Sequence, residues 1–433
     1  MPESWNVILI IIDNERIFTV FLKQIQDKLI RKILSPIKII HIAPTPFFAD
    51  RGCHIRIRNE IYSLHRQPVS IILCTYHHGK NIKGIDIRRI PRIPGYTKLD
   101  AGYSPFKFVA DILLFFLVLK TVWQERPDIL HAHLHEGVLV GWAVRTVLFW
   151  RHLPLIMDMQ GSLSGELSAY GACRRIPFLL KIFRLTEKLI CRLPDFFFCS
   201  SEASRILLIK DFHVDERKIS LLQDIVPEEI FQDQSQEICR RNNGIPLNRK
   251  VLIYTGSLLE GKGIGYVLEA MRALSSKRED LFWVLVGYPI ENTKAFLEQH
   301  MLSAICLLPG QVPYSDLSYW LAAADIALEP KSEDSGEASG KLLHYMAAAL
   351  PVVCFPTVNN SEILSGTGFF AENISQEAFT QAIVEALDDR SGASARGRKN
   401  RTKARAGYSA ISVAEKLYHI YSNLDELVKS LKR

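Results

Sequence analysis

The stretch from Asp325 to Cys354, DIALEPKSEDSGEASGKLLHYMAAALPVVC, restricts the fold more than any other part of the chain. An apolar run passes into an acidic loop with glycine, then into a helix beginning near Lys341, then into the strand-like Pro351-Val352-Val353. Strand, polar loop and helix N-terminus in that order make a seat for an anion, because the first helical N–H groups lack intrahelical partners and carry partial positive charge. A plain βα connection that binds nothing has the same outline. The rest of the chain bears on the choice between them.

The same pattern recurs from Ile37 onward. IKIIHIA reads as a buried strand, PTPFFADRGCH as a loop, and Ile55 to Leu64 as a helix. Gly52 falls where backbone either turns tightly or approaches a ligand. After VSIILCT and IDIRRIP, Ser104 and Pro105 form a helix start, and the apolar block Ile112 to Leu119 is too short to span a bilayer. It reads as a buried packing helix, with a membrane-facing one second. Asp128 to His131 completes a further strand and Glu136 opens a helix, so His131, His133, His135 and Glu136 cluster at a strand's carboxyl end, where open α/β sheets place ligand contacts. No cysteine or second carboxylate joins them, so hydrogen bonding to a sugar or phosphate is preferred to metal, and one of the three is open to being a core histidine. Pro154 to Leu167 repeats the form and leaves Asp158 and Gln160 at a strand end. A helix from about Ile176 to Arg192 sets Lys181, Arg184, Lys188 and Arg192 on one face beside Phe178, Ile182, Leu185 and Leu189. It is either a surface for anionic lipid or a solvated face over a packed one.

Residues 228–249 are polar, carry Asn242-Asn243-Gly244 and Pro246, and read as the linker. Beyond them VLIYTGSLLEGKGIGYVLEAM is strand, glycine-rich loop and helix, with Lys262 between Gly261 and Gly263. That is a second phosphate-type loop, although Gly263 follows the lysine where a P-loop has Ser or Thr.

A chain of 433 residues with 48% hydrophobic and 23% charged content accommodates two or three domains and excludes a disorder-dominated protein. Eight cysteines without a close pair argue for reduced thiols in the cytosol and against structural zinc. A net charge of +7 favours anionic ligands or lipid without pointing to nucleic acid; the densest basic cluster, Arg390 to Arg405, reads as a solvated Gly/Ser/Ala-rich tether. Residues 1–36 fit poorly with the regular pattern that begins at Ile37. Their apolar run Val7 to Ile12 is too short to span a membrane, and they read as an extension from an upstream start codon or as an amphipathic surface helix over Phe18 to Leu34.

The ordered series HAHLHEG, YTGSLLEGKG, LVG, GQVPYSDLSYWLAAADIALEP and GKLLHYMAAALPVV resembles the family 4 retaining glycosyltransferases. The resemblance covers about Ile37 to the C-terminus. It implies an α/β chain of the GT-B fold, with two Rossmann-like domains facing across a cleft: an acceptor-side domain at 37–227, a nucleotide-sugar domain at 250–407, and a helix at 408–433 crossing back to the first. By the same resemblance Lys262 contacts the donor diphosphate, with Gly256, Gly263 and Gly287 in the neighbouring loops. Ser339, Gly340, Lys341 and Leu342 bring backbone N–H groups to the phosphates. His133, Glu136 and Asp158 are orienting or catalytic groups, and Gln160 stands where a histidine often meets the donor sugar. The chain departs from the pattern elsewhere too, including Ala349 where a glycine usually precedes Leu350-Pro351. Ser257 replaces a frequent arginine. His344 replaces the second glutamate of the E-x7-E signature, which binds ribose, and Gly336 replaces the first, leaving Glu337 or Glu333 as substitutes. The resemblance further implies a nucleotide-sugar donor without metal or other cofactor, a glycan, lipid-linked or small-molecule acceptor, and a cytoplasmic place at the inner membrane face. A catalytically silent GT-B scaffold and a sugar-nucleotide epimerase are the alternatives.

Overall fold

The computed structural model describes residues 36–49, 51–99, 104–162, 177–332 and 339–430. In the first half, β1 (Ile37–Ala43), α1 (Gly52–Ser63), β2 (Val69–Thr75), β3 (Asp86–Arg89), α2 (Phe106–Glu125), β4 (Ile129–His133), α3 (Leu134–Val147), β5 (Leu155–Met159), α4 (Pro177–Ile190), β6 (Phe196–Cys199), α5 (Glu202–Lys210) and β7 (Ile219–Leu221) succeed one another. The strands form one parallel sheet in the order β3-β2-β1-β4-β5-β6-β7. Strand order reverses between β1 and β4, and such a switch point opens a crevice at the carboxyl ends of the strands. Side chains alternate between the two faces. Ile40, Ile42, Leu130, Ala132, Met157 and Phe197 pack under α2, α3, α4 and α5, while Ile39, Ile129, Ile156, Phe196 and Phe198 face the opposite way. Burial on both faces is what makes these strands read as unbroken apolar runs.

The second half continues with α6 (Gln236–Asn242), β8 (Lys250–Thr255), α7 (Ile264–Ser275), β9 (Leu281–Val286), α8 (Glu291–Gln299), β10 (Cys306–Gly310), α9 (Leu317–Ala322), β11 (Ile326–Glu329), α10 (Gly340–Ala347), β12 (Val352–Cys354), α11 (Val358–Leu364), β13 (Phe369–Phe370) and α12 (Gln376–Asp388). Its sheet is also parallel, in the order β10-β9-β8-β11-β12-β13. Two long helices close the chain, α13 (Arg390–Tyr408) and α14 (Ala410–Ser430).

Two segments differ from their sequence reading. Residues 228–249 are not a bare linker: Ile230, Phe231, Cys239 and Ile245 enter the core of the second half. The polarity of this segment is satisfied inside the fold, where buried Arg240 donates to the Ala323 carbonyl at 2.9 Å and to Asp325 Oδ2 at 2.7 Å. The basic stretch Arg390 to Arg405 is helix rather than tether. Its poor intrinsic helix propensity is offset by packing: Ala393, Asn400 and Ala404 are buried, and Arg396 donates to the Gly368 carbonyl at 2.7 Å.

Helix α14 returns to the first half, where Val413, Leu417, Tyr421 and Leu424 cover the strand face opposite α2 to α5. The outgoing and returning chains touch as they cross. Val226 N donates to the Tyr408 carbonyl at 2.8 Å, and Val226 and Ser409 form a parallel bridge. Apart from Pro36, the readings of residues 1–36 concern positions outside the described residues.

Candidate active site

The anion seat is assembled from loops at the carboxyl ends of the second sheet. Gly256 and Gly263 bracket the loop after β8 with φ of 127° and 83°, values that L side chains rarely adopt. A β-carbon on Gly263 would collide with the Pro330 carbonyl, and one on Gly287 with the Gly256 carbonyl. The three connections following β8, β9 and β11 are therefore in direct backbone contact. Two cations enter this corner. Lys341 Nζ stands 4.3 Å from the centre of the Tyr254 ring, and the charge of Lys262 is felt by the same tyrosine, whose hydroxyl burial and Glu329 hold well above its ordinary pKa. Fully buried Glu329 accepts from Ser339 Oγ at 2.6 Å and lies 3.4 Å from Lys341 Nζ, so one carboxylate places both the residue preceding α10 and its lysine. The Tyr345 hydroxyl accepts from Thr255 N at 2.8 Å and ties α10 to the end of β8.

Leu342 is part of the core and its N–H is bonded to the Ser339 carbonyl at 3.0 Å. That bond occupies an N–H that the resemblance assigns to phosphate. His344 also departs from expectation. It is buried, its Nε2 lies 2.9 Å from the Tyr314 hydroxyl, and burial pulls its pKa down to about 4, so it is neutral at physiological pH. From Tyr314 the chain of contacts leaves the second half. Asn59 Nδ2, on α1, is 3.3 Å from the Tyr314 hydroxyl and donates to the Ile225 carbonyl at 2.8 Å. The residue at the ribose position thus bonds toward the other domain. Glu337 and Glu333 lie outside the described residues.

In the first half, β4 extends to His133, which puts His131 and His133 on the same face. His131 is the core histidine, fully buried with Nδ1 2.7 Å from the Tyr421 hydroxyl on α14. His133 is engaged at both nitrogens, by Asp158 Oδ2 at 3.0 Å and by His41 Nδ1 at 2.9 Å. Arg56 on α1 donates to Asp158 from Nη2 at 2.6 Å, contacts Glu60 Oε1 at 3.1 Å and donates to Asp224 at 2.9 Å. Burial alone would raise the Asp158 carboxyl, yet the Arg56 guanidinium and the His133 bond hold it well below the usual carboxylate range. Burial and then the charge of Asp158 push Glu60 well above that range. His41, Glu60, His131 and His133 present nitrogen and oxygen atoms within 4.8 Å of one another. As a cation-binding set they fit poorly, because the Arg56 guanidinium already supplies positive charge at Glu60 and both His133 nitrogens are taken.

Known proteins resemble the chain over both halves. The glycosyl transferase 4-like domain profile matches residues 51–223 and the glycosyl transferases group 1 profile matches residues 249–389. The chain belongs to the family 4 glycosyltransferases of the GT-B fold. It is a nucleotide-sugar-dependent glycosyltransferase. The D-inositol 3-phosphate glycosyltransferase of Corynebacterium glutamicum is 25% identical over 330 residues, 72% of this chain and 75% of that protein. The lipopolysaccharide glucosyltransferase WaaG of Escherichia coli is 27% identical over 189 residues, 41% of this chain and 49% of that protein. The crystal structure of HepE from Anabaena in complex with UDP-glucose superposes with a TM-score of 0.70 at 14% identity, covering 89% of this chain and all of that one at 100%.

In this glycosyltransferase the expected site residues fall into two groups and two outliers. Gly256, Lys262, Gly263, Gly287, Ser339, Gly340 and Lys341 converge on the seat around Tyr254. His133, Asp158 and Gln160 form the second group, with Gln160 Nε2 donating to Asp158 Oδ2 at 2.9 Å. Of these three only Gln160 is partly exposed, the other two being fully buried. Glu136 stands apart at the start of α3, ion-paired with Lys107. Gly52 is the first residue of α1, where a β-carbon would touch nothing within 4 Å, so its position makes no steric demand for glycine. The groups are linked through Asp224, which the sequence reading missed: Arg56 holds one of its oxygens, and the other lies 2.6 Å from where a Gly340 β-carbon would sit. His41, Arg56, Glu60, Glu329 and Tyr254 were missed as well. Their signal was polarity inside apolar runs, as with His41 in IKIIHIA and Glu329 in IALE.

Proposed function

We propose that the chain transfers a sugar with retention of configuration from a nucleotide-sugar to a glycan or lipid-linked acceptor of the cell envelope, working at the cytoplasmic face of the inner membrane without a metal ion. The observation that carries this reading is the convergence of Lys262 and Lys341 with the start of α10 on a single corner. Two cations and a helix N-terminus match the charge of a departing nucleoside diphosphate and replace the metal that would otherwise neutralise it. As the bond from the sugar's anomeric carbon to the diphosphate oxygen breaks, the acceptor hydroxyl bonds to that carbon on the same face. Its proton passes to the leaving phosphate oxygen, and no protein nucleophile is required. The Arg56, Asp158, His133 and Gln160 group orients the sugar side through Gln160, its partly exposed member. UDP-sugars are the first donors to try, since HepE was solved with UDP-glucose. WaaG, named for lipopolysaccharide, supports an envelope acceptor.

His344, which lies 2.9 Å from the Tyr314 hydroxyl where the family's glutamate would meet ribose, makes a scaffold without turnover and an epimerase the outcomes that would overturn this reading. Incubating the purified chain with UDP-, GDP- and ADP-sugars and cell-extract acceptors decides between them. Release of one nucleoside diphosphate with a new glycosylated product supports transfer. Absence of calorimetric binding for every donor supports the scaffold, and conversion of a donor to an isomer of equal mass without acceptor supports an epimerase.

A further inference from the structure

The outer surface of the α2, α3 and α4 layer is apolar where a solvated surface should be polar. Helix α2 buries Ala110, Leu114, Val118 and Val122 against the sheet. At 3.6 residues per turn, Phe108, Phe116 and Trp123 come out on the opposite side, and Phe108 is 74% and Trp123 60% exposed. Beside it, α3 and the turn after it expose Trp142, Trp150 and Phe149, the last at 70%. Helix α4 aligns Phe178, Leu185 and Leu189 on one outward stripe, Phe178 at 71% exposure. The helices lie in one layer over one sheet face. The far end of α2 is joined to the turn after α3 by Arg151, which donates to the Val122 carbonyl at 2.6 Å and stands 5.6 Å over the Trp123 ring. Exposed aromatic and aliphatic side chains on three neighbouring helices mark an interaction face.

The charges on the layer identify what it fits. Each carboxylate of α2, α3 and α4 has a partner within the first half: Asp111 accepts from Tyr76, Glu125 from Arg88 and Glu187 from Ser162, and Glu136 pairs with Lys107. Lys120, Lys181, Lys188 and Arg192 have no carboxylate partner among the described residues. Lys181 and Lys188 fall by helical spacing along one border of the α4 stripe. Aromatic rings with exposed cations beside them suit the headgroup level of an anionic bilayer, where rings sink and long cations reach the phosphates. A second copy of the chain would set the same cations against each other. No helix among the described residues is long and apolar enough to cross a membrane, so the contact is lateral.

We propose that the α2, α3 and α4 layer lies flat on an anionic lipid bilayer and brings a lipid-linked acceptor to the crevice. The acceptor part rests on the glycosyltransfer reading; the docking part stands on the surface itself. These helices begin at the carboxyl ends of their preceding strands, so a bilayer along the layer reaches the crevice edge at Phe106 and Lys107.

The test is flotation of the full chain with vesicles of phosphatidylcholine alone and of phosphatidylcholine containing phosphatidylglycerol. Binding to the anionic vesicles that weakens in high salt is expected. Phe108→Ser with Phe116→Ser and Phe149→Ser should reduce it at least roughly tenfold. Lys120→Glu with Lys181→Glu and Arg192→Glu, an exposed set that leaves the core intact, should reduce binding to the anionic vesicles selectively. Absence of binding, or binding unchanged in both variants, overturns the proposal. So does light scattering that shows a dimer dispersed by the aromatic substitutions. Donor consumption is measured in parallel: a chain that floats but consumes no donor retains docking and loses the glycosyltransfer reading, whereas one that consumes donor without floating loses docking alone.

Discussion

Lys341 stands over the Tyr254 ring while the charge of Lys262 acts on the same tyrosine, and their substitutions should separate. Lys262→Ala is expected to lower kcat at least roughly tenfold, about 1.4 kcal/mol of lost charge stabilisation, with a smaller fall in melting temperature than a substitution that strips a fully buried carboxylate of its cation. Lys341→Ala should lower both, because fully buried Glu329 would lose the cation 3.4 Å away. Steady-state kinetics beside thermal denaturation distinguishes the two. His344 makes a pH prediction. A histidine near 6.5 in the unfolded chain falls to about 4 in the fold, so the unfolded chain binds more protons between those values. The stabilising contribution is full above about 6.5, declines as pH falls, and levels off below about 4, with a slope of at most about 1.4 kcal/mol per pH unit. His41 and His131 are lowered in the same direction by burial and by neighbouring histidines. Urea midpoints at pH 7 and pH 5 should therefore differ less for His344→Gln than for the parent chain. The two lysines stand out in the sequence because glycines flank them, Gly261 and Gly263 around Lys262 and Gly340 before Lys341. The Arg56, Asp158 and Asp224 group does not, since its members are brought together only when α1, β5 and the chain after β7 pack.

Among the elements, the loop between β8 and α7 depends on Gly263 twice, for its φ of 83° and for the clearance of the Pro330 carbonyl. Gly263→Ala should cost about 1–3 kcal/mol of stability and weaken donor binding in the same variant, as chemical denaturation and calorimetry would show. The strands were read almost to their ends, because a parallel strand buried on both faces leaves an unbroken apolar run. The two misread segments share a cause. Residues 228–249 and Arg390 to Arg405 look solvated because their polar atoms are plentiful, yet those atoms bond inward, Arg240 to Ala323 and Arg396 to Gly368. Composition reports how much polarity a segment has and not where it is satisfied. In helix α4 the apolar residues Phe178, Ile182, Leu185 and Leu189 are turned outward, in keeping with the first of its two sequence readings, and periodicity alone does not say which stripe of a helix meets the core.

For the molecule as a whole, Arg56 ties distant elements together, since it contacts Asp158 and Asp224 as well as Glu60 on its own helix. Arg56→Met is expected to destabilise the chain by about 3–5 kcal/mol by leaving a buried carboxylate unpaired. Arg56→Met with Asp158→Asn should recover part of that loss, and a double-mutant cycle by urea denaturation measures the coupling. The two halves communicate through Asn59, Tyr314 and His344 and through Asp224 against Gly340. They are joined by two crossings of the chain that are bonded to each other at Val226, Tyr408 and Ser409. A single connecting strand would let the halves bend, swing and twist with comparable ease. A pair held side by side resists twisting and sideways swing more than a single strand does, so rotation about the line through the paired crossings is the movement that these two crossings hinder least.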